Sequence, residues 1–220
     1  MFSSKVGLAV NGAANYISGT HIWFPENQAL AFAGVGVMAF HITSGQNRFS
    51  GCYIDGSRAV FENGGLSGNV WTNGFECCAG APGPHGVLLL GDAIGPGLVI
   101  VNNEFRGGDV YWQPKTNGTT AKMTGTRIES NSFTGGARGS RATASLTQTA
   151  AAQWAFDFCA QLVVPSIDHV ASITLQAAAG FATAVARAPA GCTLLVETSE
   201  PVSGTVTVTV DSSAISADFV

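Results

Sequence analysis

The sequence predicts an all-β protein, a parallel β-helix of stacked coils followed by a small C-terminal antiparallel β-unit. Three observations carry that expectation. One short phrase (Asn, any residue, large apolar, polar, small) recurs five times, at residues 15–19, 47–51, 69–73, 103–107 and 131–135. Glycine supplies 28 of the 220 residues, close to twice the usual share of ~7%, as a chain of short strands and tight turns requires. Beyond residue 165 the phrase stops, and apolar residues alternate with polar ones at the period of a strand.

In chain order, the phrase repeats at steps of 32, 22, 34 and 28 residues, as coils do when their loops vary in length but their strands stay in register. Asparagine tolerates the left-handed backbone of a corner and hydrogen-bonds along a stack of like residues. Two residues on, Ile17, Phe49, Trp71, Phe105 and Phe133 are expected to point inward as one ladder, one ring or branched side chain per coil. A second stack is expected from residues 35–42, 59–61, 87–90 and 110–112. A β-sandwich gives no reason for one phrase to recur with an aromatic at fixed offset. A doubly wound fold needs several amphipathic helices, and only residues 142–159 offer the length. The domain reading is therefore coils over 1–164 and a β cap over 165–220. Its strands are expected at 166–176, 192–198 and 205–210, with a turn at 199–204, closing the C-terminal end of the helix. Charge divides likewise, +1 up to Arg141 (nine bases, eight acids) and −5 beyond it (one base, six acids). Residue 15 already lies in a coil, so the N-terminal coils are expected to be missing from this chain.

Composition excludes several classes. Charged residues are only 11% and the net charge is −4, which does not suit a nucleic-acid binder. No apolar run reaches the ~18 residues of a membrane span. Lys5 and residues 6–10 are cut short by Asn11, so no cleavable signal is read. Five cysteines form no Cys-x-x-Cys pair; zinc is not expected, no cofactor is implied, and the redox state stays open.

Four stretches, taken in order, resemble one family: QNRFSGCYID at 46–55, GLVIVNNEF at 97–105, WAFDF at 154–158 with LVVP at 162–165, and VETSEPVSGTVTVT at 196–209. Together they resemble the C-terminal half of the plant Quartet-type polygalacturonases of the pectin-lyase-like superfamily. The resemblance implies a right-handed β-helix, an extracellular or cell-wall location, and a pectin-like, acidic polysaccharide as partner. It also implies glycoside hydrolase or lyase chemistry without a metal. The alternative is a non-catalytic glycan-binding or structural module.

Glycoside hydrolysis needs two carboxyls. The candidates on the coils are Asp55, Glu76, Asp92 and Asp109. Counted from each phrase Asn, His21, Tyr53, Phe75 and Asp109 share offset six, and Trp23, Asp55 and Cys77 share offset eight. The expected patch thus has Asp55 and His21 as titrating groups and Trp23 and Tyr53 as rings for sugar faces. Arg48, Arg138 and Arg141 are the bidentate partners for an anionic saccharide, the last two on the glycine loop 135–141. Classical polygalacturonases carry Asn-Thr-Asp, Asp-Asp, Gly-His-Gly and Arg-Ile-Lys. None is present, and Pro84-His-Gly86 and Arg127-Ile-Glu129 are partial echoes, so that catalytic set is not transferred. Alone, the chain is expected to be a weak hydrolase dependent on Asp55. Asn117-Gly-Thr119 is a glycosylation sequon.

Overall fold

The computed structural model describes residues 6–24, 38–77, 85–106, 108–116, 123–134 and 138–214. The sequon, Cys78, Pro84 and residues 35–37 and 135–137 lie outside them. The chain forms two units, residues 1–138 with 215–220, and residues 139–214.

The first unit is a parallel β-helix of five coils. The first coil runs β1 (Val6–Val10), β2 (Tyr16–Ser18), β3 (His21–Trp23); the second β4 (Met38–Ile42), β5 (Arg48–Ser50), β6 (Tyr53–Asp55). The third is β7 (Arg58–Glu62), β8 (Val70–Thr72), β9 (Phe75–Cys77), and the fourth β10 (His85–Leu90), β11 (Val99–Val101), β12 (Glu104–Arg106). The fifth is β13 (Asp109–Gln113), the short β14 (Met123–Thr124), β15 (Arg127–Glu129) and β16 (Ser132–Phe133). Each coil gives one strand to each of three sheets: A (β1, β4, β7, β10, β13), B (β2, β5, β8, β11, β15) and C (β3, β6, β9, β12, β16).

Two corners of each coil share one local geometry. Entering sheet B, the backbone turns left-handed at Ala14, Gln46, Gly68, Gly97 and Gly125; entering sheet C, at Gly19, Gly51, Asn73, Asn102 and Ser130. The phrase Asn is therefore not itself the left-handed residue but the one after it, and its amide ties coil to coil. Asn15 N–H donates to Asn47 Oδ1 at 2.9 Å and Asn47 N–H to Asn69 Oδ1 at 2.8 Å. A second ladder serves the other corner, from Gly74 N–H to Asn103 Oδ1 at 2.8 Å and from Asn103 N–H to Asn131 Oδ1 at 3.0 Å.

This corrects the single inward ladder expected from the phrase. Ile17, Phe49 and Trp71 align in sheet B, continued by Ile100 and Ile128. Phe105 and Phe133 align in sheet C, below Ile54 and Glu76. Because both corners want the same residues, the phrase moves from one to the other after the third coil. The 34-residue step is one coil, Asn69 to Leu98 (98 − 69 = 29), plus one sheet, Leu98 to Asn103 (103 − 98 = 5). The expected sheet A stack is found, with Phe40, Ile42, Phe61, Val87, Leu89 and Val110 wholly buried.

The ladder's energetic weight is testable. Asn47 is buried, takes two hydrogen bonds from Asn15, and donates to the carbonyls of Ser44 and Gly45. Asn47→Ala is expected to cost about 2–3 kcal/mol, since it removes four hydrogen bonds made by a buried amide side chain. Exposed Asn15→Ala is expected to cost under about 1 kcal/mol. Equal urea midpoints for the two variants would remove the ladder as a stabilising device.

The second unit begins at Gly139 rather than 165. Residues 142–159 are neither helix nor coil: β17 (Arg141–Asp157) pairs antiparallel with β20 (Thr193–Asp211) along most of its length. β18 (His169–Ala177) lies on the other edge of β20, and β19 (Ala184–Ala186) pairs it near residues 196–198. The turn expected at 199–204 is part of β20. Pro201 is tolerated there because the ladder to β17 is interrupted by bulges between Gln148 and Gln153, so its missing N–H leaves no gap. The inner face packs Trp154, Phe158, Leu162, Val196, Val206, Val208 and Val210. The outer face pairs hydroxyls across strands, Thr143 with Thr209 and Ser145 with Thr207. A disulfide joins Cys159 and Cys192, and Cys52 is a buried thiol that burial pushes up in pKa.

Candidate functional site

Strand alternation in sheet C sends the middle residue inward and its neighbours outward. His21, Tyr53, Phe75 and Glu104 fall in one outward file, and Trp23, Asp55 and Arg106 in the next. The structure thus brings His21, Trp23, Tyr53 and Asp55 together as the offsets implied. The His21 and Tyr53 rings stack at 4.3 Å and 12°, and Phe75 meets Tyr53 edge-on at 5.0 Å. Arg106 lies 5.1 Å over the Phe75 ring and donates from Nε to Glu104 Oε1 at 2.7 Å. Trp23 is 62% exposed. This face offers rings, two carboxylates, Asp55 and the Arg106-paired Glu104, and one guanidinium.

Other expected members lie elsewhere. Asp109 belongs to sheet A, opposite His85, because the fourth coil's phrase sits one sheet later than the first three. Glu76 points into the core and is wholly buried. Arg48 is on the outer face of sheet B, beside Tyr16. Arg138 faces Asp109 at 3.4 Å and lies 5.4 Å over Tyr111. Arg141, in the second unit, forks onto Asp211 at 2.7 and 2.9 Å. Arg48, on sheet B, and Arg138, against Asp109 of sheet A, therefore do not form one clamp.

A second cluster, absent from the offset count, stands where sheet A turns toward sheet B. Four successive coils give one residue each: His41 on β4, Glu62 closing β7, Asp92 after β10 and Lys115 after β13. His41 Nε2 donates to Glu62 Oε2 at 2.6 Å, and Lys115 Nζ donates to Glu62 Oε1. The backbone N–H groups of Lys115 and Thr116 both donate to Asp92 Oδ1 at 2.8 Å. Trp112 donates its indole N–H to the Gly91 carbonyl at 2.8 Å, tying the corner that holds Asp92 to the next coil. The ammonium of Lys115, then His41, lowers the Glu62 pKa; the Thr116 N–H first of all lowers that of Asp92. Both carboxyls are held as anions, one half-buried beside a cation. The readable signal was the end of each sheet A strand, where HIT, FEN, GDA and QPK put a polar side chain at the same corner.

Asp157, Cys159 and Cys192 also lie within 4.8 Å of one another. Their two sulfurs are bonded together, which removes the thiolates a metal would need.

No protein-family model matches the chain. A polygalacturonase of Arabidopsis thaliana, QRT3, is 28% identical over 222 residues, covering 96% of this chain and 43% of the relative. The chain spans less than half the length of that curated relative. Along nearly its whole length, this parallel β-helix chain is similar to a Quartet-type polygalacturonase, as its ordered stretches indicated.

Proposed function

We propose that this chain carries the substrate-handling face of a carbohydrate-active β-helix protein that cleaves a pectin-like, uronate-bearing polysaccharide outside the cell. The observation that carries the reading is the sheet A corner, where Glu62, Asp92, Lys115 and His41 converge from four coils in a chain similar to a polygalacturonase. Coils repeat at about 4.8 Å, so the file is long enough for consecutive sugars. Lys115 supplies a cation for a uronate carboxylate. Glu62, held ionised, suits a base or nucleophile, with His41 beside it as the proton-carrying partner. Two ionised carboxyls lack the raised-pKa member that protonates a leaving oxygen, so turnover by this chain is expected to be slow.

A second reading, a glycan grip without cleavage, is favoured by sheet C, where the His21, Tyr53 and Phe75 rings and exposed Trp23 accompany Asp55, while the other carboxylate of that face, Glu104, is paired to Arg106. New reducing ends, unsaturated products and direct binding on polygalacturonan separate the readings. Reducing ends are expected to form slowly in the wild type, about 10²-fold or more slower in Glu62→Gln, and unchanged in Asp55→Asn. Loss confined to Asp55→Asn would move the chemistry to His21 and Asp55 on sheet C. Ultraviolet-absorbing unsaturated ends would make the enzyme a lyase. Binding that weakens in Trp23→Ala, with no product from any form, would leave the grip alone.

A further inference from the structure

We infer that Glu76 is an acid lock built into the third coil: a carboxylic acid held uncharged inside the helix, so that sheet C stays closed in acid and loosens as the solution turns neutral and alkaline. β9 sets Glu76 at the inward place of sheet C, opposite Ile54 on β6 and Phe105 on β12, and all three are wholly buried. Among the described residues, neither carboxyl oxygen has a hydrogen-bond partner. From sheet A the neighbour is Gly86 of β10, where an added Cβ would lie 2.1 Å from Glu76 Oε2 and 2.8 Å from the Phe105 ring. The carboxyl thus occupies the room that any side chain at residue 86 would claim, and glycine there is what admits it.

The titratable and charged residues of the surrounding strands take other places. Tyr53 and Asp55 on β6, and Glu104 and Arg106 on β12, alternate outward, and His85 precedes Gly86 on β10. Burial alone pushes the Glu76 pKa well up, with no compensating charge among the described residues. A buried carboxylate without partner is avoided by keeping its proton. A leucine or methionine would fill the same room without titrating, so the property that distinguishes glutamic acid here is its response to pH.

The direction follows from linkage. An unfolded glutamate titrates near about 4.3, and the folded one higher. Its stabilising contribution is therefore complete below about pH 4.3 and is lost as pH rises through the folded value. Across that interval the folding constant falls about tenfold per pH unit. β9 also carries Phe75 of the outward ring file, so loosening it breaks the register joining Tyr53 to Glu104.

The test compares urea unfolding of the full wild-type chain and Glu76→Gln from pH 4.5 to 8; the difference between the two cancels every other titrating group. The wild type is expected to lose up to tenfold in folding constant per pH unit relative to the variant. Parallel profiles overturn the proposal. Should Glu76→Gln not fold, Glu76→Met takes its place. Infrared spectra of the wild type give an independent reading: a protonated-carboxyl band persisting at pH 6.5 and vanishing on unfolding is expected, and its absence in the folded protein overturns the lock.

Discussion

Trp71→Ala is expected to lower the thermal midpoint of the coil region by roughly 6–20 °C, the equivalent of about 3–5 kcal/mol in a chain of this size. Trp71 is wholly buried in sheet B and stands among three phenylalanines: Phe49 at 5.1 Å, Phe40 at 5.2 Å and Phe61 at 5.9 Å. These rings come from two coils and two sheets, so the cavity left by alanine has walls that hydrogen-bonded ladders hold apart. Collapse is resisted and the full cavity cost is paid out. Trp71→Phe separates volume from polarity. The indole N–H is buried without a partner among the described residues, so phenylalanine removes an unsatisfied donor while keeping most of the ring, and a cost under about 1.5 kcal/mol is expected. Calorimetry of both variants checks the pair; equal losses would mean that the cluster does not rest on the ring's volume.

The second large effect concerns the disulfide. Cys159 and Cys192 close a separation of 33 residues between the end of β17 and the start of β20. Closing a loop of that length removes unfolded-state entropy worth about 4 kcal/mol. The double change Cys159→Ser with Cys192→Ser is expected to lower the stability of residues 139–214 by that amount, and to match the reduced wild type. Hydrogen exchange over β17, β18 and β20 reads that unit directly. Protection unchanged between oxidised and reduced protein would show that the inner face of Trp154, Phe158 and Val196 suffices by itself.

Much of the coil architecture was legible in the sequence because its corners demand particular residues. A left-handed residue followed by a ladder amide and a three-residue strand leaves a readable phrase, and that phrase placed His21 beside Tyr53 and Trp23 beside Asp55 correctly. The same property limited the reading. Both corners of a coil take the same phrase, so counting from Asn103 placed Asp109 with His21 when it belongs to sheet A, and merged two inward ladders into one. Glu76 stood at an ordinary offset with nothing local to mark it as buried. Only the meeting of sheet C with Gly86 of sheet A made room for it.

By itself, the sequence determined that this protein is a parallel β-helix similar in its residues to the Quartet-type polygalacturonases, because strand period, corner chemistry and ordered stretches are all local properties of the chain. Tertiary structure alone decided which charged groups stand together. His41, Glu62, Asp92 and Lys115 meet because four strands of different length and loop end at one corner of sheet A. Arg138 and Arg141, three residues apart, take partners in different units. Electrostatics depends on separation in space, and in stacked coils that separation is set by register between strands some twenty to thirty residues apart.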